Sequence, residues 1–181
     1  MDQVLTRRNL GKLAAVAAAA TSIGLSGVAK AAEAMGDDWF ATIKMQHREI
    51  DRRLMAVKNA STHMARVAAF KSFAIYLTAH SVAEETSVYP AIAIKESDAA
   101  AKQLYHEQDD AEILVGRIEN ALAMDEDAQI GPMLDQLAMA LHAHVDEEET
   151  QKFPALQSAA DARLNARIST QFNATFNRAM S

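Results

Sequence analysis

The chain has 181 residues, half of them apolar, enough for one domain with a buried core. Its 24 acidic residues outnumber 18 basic ones, for a net charge of −6. That leaves no basic stripe to neutralise phosphates and excludes nucleic acid as a partner. There is no cysteine, which excludes disulfides, zinc–thiolate sites, iron–sulfur clusters and thiol nucleophiles.

Residues 1–31 read as a cleaved signal peptide. Thr6-Arg7-Arg8-Asn9-Leu10-Gly11-Lys12 is a twin-arginine segment, an apolar run follows from Leu13 to Val28, and Ala29-Lys30-Ala31 offers a small-residue cleavage site. The apolar run is short for a membrane span and is interrupted by Gly24, Ser26 and Gly27. Cleavage after Ala31 removes four basic residues and one acidic one, leaving a net charge of −9. The expected location is the periplasm, with no membrane attachment once the signal is removed.

Four amphipathic segments follow, scarce in Gly and Pro and spaced for helix. The first carries Phe40, Ile43, His47, Ile50, Leu54 and Val57 in steps of three and four. The second carries Phe70, Phe73, Leu77, His80, Glu84 and Val88 and is expected to stop near Pro90. The third runs from an N-cap at Ser97 to about Met124, with His106, Asp110, Ile113 or Leu114, Ile118 and Ala121 on its inward face. The fourth starts at Gly131-Pro132, carries Leu134, Leu137, Leu141, His144 and Glu148, and ends near Pro154. A fifth, at 159–180, aligns Leu164, Ile168, Phe172 and Phe176 and is expected to pack against the bundle, with a homodimer through this helix as the alternative.

The most informative pattern is doubled. His80-x-x-x-Glu84-Glu85-x-x-x-Tyr89-Pro90 recurs as His144-x-x-x-Glu148-Glu149-x-x-x-Phe153-Pro154. Residues four apart share one face of a helix, so each copy sets an imidazole beside a carboxylate. In the first, second and fourth segments a His replaces an apolar residue inside the buried stripe. Several imidazoles and carboxylates buried without partners cost several kcal/mol, roughly, and a bound cation supplies those partners. The second half of the chain thus reads as a repeat of the first, with Asp110 at the place of His47 and His106 one turn earlier. Glu85 and Glu149 lie ~100° from the ligand-bearing face and read as solvated. Tyr76, Tyr89 and Tyr105 read as packing residues, and His63 and His142 as surface ones.

These residues resemble the bacterial hemerythrin-like, HHE cation-binding family over about residues 38–155. The resemblance implies an all-α, up-down-up-down four-helix bundle holding two non-haem iron ions, with manganese or zinc as alternatives. It also implies that His47, His80 and His144 are terminal ligands and that Glu84 and Glu148 are carboxylates bridging the two metals. His106 matches the first His of the third-helix H-x-x-x-H of oxygen-carrying members, and Asp110 falls where the second His stands. Four His and two Glu, with Asp110 as a further oxygen donor, depart from their five His and two carboxylates and make reversible oxygen carriage less favoured. The implied partner is a small diatomic or peroxidic ligand: oxygen, nitric oxide or peroxide. The alternative function is non-catalytic buffering or storage of iron or another divalent metal.

Overall fold

The computed structural model describes residues 38–181; the signal-peptide expectation falls on 1–31 and lies outside the described residues. Four long helices form an up-down-up-down bundle, with a further helix at the C-terminus. Helix α1 is Trp39–Lys58, capped by Asp38, whose carboxylate accepts from the amides of Phe40 and Ala41. Helix α2 is His63–Ser87, capped by Thr62. A short α3, Tyr89–Lys95, leads to α4, Asp98–Ala123, whose cap is the expected Ser97. Helix α5 is Asp127–Glu147, followed by a π-helical turn at Glu148–Lys152, a short α6 at Phe153–Ala159, and α7 at Ala162–Met180.

The expected start of the fourth segment is corrected. Pro132 lies inside α5 rather than at its first position. As the sixth residue of the helix it lies past the first turn, and its missing N–H removes one intrahelical bond, to the carbonyl of Ala128. The expected stops at Pro90 and Pro154 are local interruptions, after which the chain remains helical. Each proline lacks an N–H for the carbonyl four residues back. In the first copy α2 ends at Ser87, and the carbonyl of Thr86 instead accepts from Gln171 Nε2 of α7. In the second copy the ladder slips by one residue, and the amide of Phe153 donates to the carbonyl of Glu148 in the π-helical turn.

Two apolar clusters divide the bundle along its length. One gathers Leu54, Phe73, Leu77, Ile118, Leu134 and Leu137 toward the far ends of α1, α4 and their partners. The other gathers Trp39, Ile43, Ile92, Leu104, Phe153 and Phe172. His47, His80, Glu84, His144 and Glu148 fall between the two sets in the register of every helix that carries them, so the polar residues occupy a layer enclosed by apolar ones.

Helix α7 lies along α2, as expected of the fifth segment, and buries Ile168 and Phe172. Asn165 accepts a hydrogen bond from the indole of Trp39 at 2.8 Å, fixing that side chain at the end of the bundle, edge-on to Phe153. Phe172 sits T-shaped against the imidazole of His80, with ring centroids 6.1 Å apart, so α7 forms one wall behind the polar layer.

Candidate metal centre

Helices α1, α2 and α5 bring five side chains into one buried cluster. Helix α1 supplies His47; α2 supplies His80 and Glu84, one turn apart; α5 and the π-helical turn supply His144 and Glu148. Both glutamates have no solvent exposure, and the three histidines are 3–7 % exposed. Such burial is sustained only by pairing.

The donor atoms fall into two sets. In the first, Glu84 Oε1 lies 3.2 Å from His80 Nε2 and 3.7 Å from His47 Nε2, which itself lies 3.3 Å from Glu148 Oε2. In the second, His144 Nε2 lies 3.3 Å from Glu148 Oε1. The other oxygen of Glu84, Oε2, faces this second set, where it accepts from Gln108 Nε2 at 2.8 Å and lies 3.4 Å from the hydroxyl of Tyr89. Each carboxylate therefore turns one oxygen to each set.

The far side of every imidazole is fixed. His47 Nδ1 meets Glu149 Oε1 at 2.8 Å, His80 Nδ1 meets Gln46 Oε1 at 2.9 Å, and His144 Nδ1 meets Glu107 Oε2 at 2.7 Å. All three partners are oxygen acceptors, so each Nδ1 carries the proton and donates it. The lone pair of each neutral ring is then on Nε2, aimed at the cluster. This is how metal-binding histidines are oriented.

Electrostatics make the same point. Burial opposes charge on His144, but Glu148, Glu107 and Glu84 outweigh it and raise its pKa to about 10. Burial likewise opposes charge on His47, and Glu148, Glu149 and Glu84 carry it well above its ordinary value. Burial would raise Glu84, yet His80 and His47 hold its carboxyl well below the usual range. The cluster thus demands positive charge, from protons on the rings or from cations between them. His47 Nε2, Glu84 Oε1 and Glu148 Oε2 are buried without any hydrogen-bond partner, which suits metal donors and not a closed hydrogen-bond network. An imidazole and carboxylate set without sulfur fits iron, manganese or zinc.

His106 and Asp110 are the correction. Both are exposed and neither enters the cluster. The buried stripe of α4 runs through Leu104, Gln108, Ala111, Leu114 and Ile118, and Ile113 is 60 % exposed. Two residues of helix turn a side chain through ~200°, which places His106 and Asp110 on the opposite face. The internal repeat consequently pairs Ile43, His47 and Ile50 with Leu104, Gln108 and Ala111, so an amide stands where α1 has its imidazole.

Sequence reasoning also missed the residues around the cluster. Gln46, Glu107 and Gln108 carry no motif of their own; only their places beside the buried stripe mark them. Glu149, expected on a solvated face, reaches His47 because the π-helical turn alters the angle between successive side chains. Tyr89 is fully buried, and its hydroxyl lies 2.7 Å from Glu148 Oε1, 3.1 Å from His144 Nε2 and 2.6 Å from Gln108 Nε2. His142 is 65 % exposed and pairs with Asp51 at 3.0 Å, outside the cluster.

The family model of the hemerythrin HHE cation binding domain matches residues 40–156, which include every residue of the cluster. Neither among curated proteins nor among solved structures does any match the chain. By a match over more than half its length, the chain belongs to the hemerythrin HHE cation-binding domain family.

Proposed function

We propose that this chain is a periplasmic protein with two non-haem iron ions that binds or reduces a small ligand such as oxygen, nitric oxide or peroxide. The observation that carries this reading is the pair of donor sets sharing Glu84 and Glu148, each of which presents one oxygen to either set. His47 and His80 would hold the first ion and His144 the second, with both carboxylates between them.

Bound iron would supply Lewis acidity and electrons for a small ligand. The protein's own residues do the rest. Glu149, Gln46 and Glu107 hold the three rings in one tautomer and one orientation. The apolar clusters on either side exclude bulk water. A narrow pocket reaches the cluster, lined by the apolar Ile50, Leu77, Ala111 and Leu141 and by the polar Glu107 and Glu112. Three imidazoles and two carboxylates form an oxygen-rich, anionic set. Anionic donors favour the more highly charged ferric ion, so reduction of the ligand suits this site better than its reversible carriage.

The test is to load the protein with iron, reduce it without air, and add oxygen, nitric oxide and peroxide in turn while recording the visible spectrum. Rapid spectral change with at least one of them supports the proposal. Iron that is lost to a mild chelator and gives no change with any of the three would replace it with metal buffering.

A further inference from the structure

The two donor sets are unequal. The first has two imidazoles, His47 and His80. The second has His144 alone, because α4 brings Gln108 to the place that His47 holds in α1. Yet the second set contains another oxygen. The hydroxyl of Tyr89 lies 2.7 Å from Glu148 Oε1, 3.1 Å from His144 Nε2 and 3.4 Å from Glu84 Oε2. Donors on an octahedral ion with bonds of about 2.1 Å sit about 3.0 Å from their neighbours, so these spacings match the edges of one coordination shell.

Hydrogen bonding by this hydroxyl can satisfy only part of the negative charge that faces it. A phenol has one proton to donate. Here two carboxylate oxygens face it, Glu148 Oε1 and Glu84 Oε2. One of them can be served. Gln108 Nε2 donates to the same hydroxyl at 2.6 Å and to Glu84 Oε2 at 2.8 Å, so the amide holds both oxygens in place. The second copy of the repeat carries Phe153 at the position of Tyr89, packed edge-on against Trp39. The oxygen therefore stands in the second donor set, the one with a single imidazole, with no phenol in the matching position of the other copy.

We propose that Tyr89 is a metal ligand whose phenolate oxygen completes the second donor set in place of an imidazole from α4. The inference rests on the metal-binding reading above. Ligation exchanges the O–H bond for an O–metal bond, releases one proton to water and moves no electrons.

The experiment is resonance Raman and visible absorption of the full chain loaded with ferric iron, with iron content measured on the same sample. A phenolate-to-iron charge-transfer band with enhanced tyrosine ring modes is expected. Tyr89→Phe should abolish both and lower the content from two irons per chain to one, while Tyr105→Phe, whose hydroxyl is bound to the backbone of Glu85, should keep them. Two irons per chain without phenolate modes in the unmodified protein would overturn the role of Tyr89 and leave the metal centre standing. No bound iron at all would overturn both. The spectrum of the unmodified protein decides the matter even if the variant fails to fold.

Discussion

Replacing Glu149 with Ala should weaken metal binding without unfolding the bundle. Glu149 touches the cluster only through His47 Nδ1, at 2.8 Å, and its own side chain is 25 % exposed. Burial of this residue therefore contributes little to folding, and its effect on the centre must pass through the ring it orients. Loss of such a supporting hydrogen bond typically costs 10–100-fold in metal affinity, or roughly 1.4–2.8 kcal/mol. His47 belongs to the first donor set, so the ion held there should be the one released more readily. Competition against a chelator of known affinity measures the change. Glu149→Gln should lose less than Glu149→Ala, because an amide oxygen still accepts from Nδ1. Asp146→Ala, an exposed position in the same acidic run, should bind as the unmodified protein does. Equal affinity for Glu149→Ala and the unmodified protein would refute the reasoning, since it would mean that His47 needs no orientation.

Other expectations follow from the same geometry. His106→Ala and Asp110→Ala, singly or together, should leave metal content unchanged in elemental analysis, because both side chains are exposed on the outer face of α4. The metal-free protein should be less stable to denaturant near pH 10 than near pH 6. His144 has a folded pKa of about 10 against 6.5, so its contribution is complete below 6.5 and is lost as pH rises through about 10; the loss is on the order of a few kcal/mol. Glu84, held low by His80 and His47, contributes above 4.5 and loses that contribution only in acid. Equal stability at the two pH values would show that the rings do not carry this charge. Phe172→Ala should lower stability by about 3–5 kcal/mol in chemical denaturation, because it empties a fully buried site between α7 and His80.

Much of the centre was legible in the sequence because it lies on regular helix. His80 and Glu84, and again His144 and Glu148, are one turn apart, and a helix turns that spacing directly into adjacency. His47 was legible because it interrupts a run of apolar residues that leaves no doubt about the inward face. Helix α4 offered no such certainty. Ile113 and Leu114 are both apolar, and choosing between them sets the phase of everything upstream; the buried choice is Leu114, and it carries Gln108 inward and His106 outward. A pattern that seeks histidine is drawn to the wrong face there. Glu149 was hidden by a different cause, since the π-helical turn departs from the 100° step on which the spacing argument relies. Tyr89 follows the end of α2, where the chain restarts as a new helix, and no periodicity carries across that break.

The shared carboxylates are the core of this account, and Mössbauer spectroscopy of the iron-loaded protein with iron counted per chain tests them most directly. Two irons per chain, coupled magnetically through Glu84 and Glu148 so that the diferric form has a diamagnetic ground state, is the predicted result. One iron per chain, or two that behave as independent high-spin ions, would contradict the sharing of these carboxylates and with it the dinuclear centre.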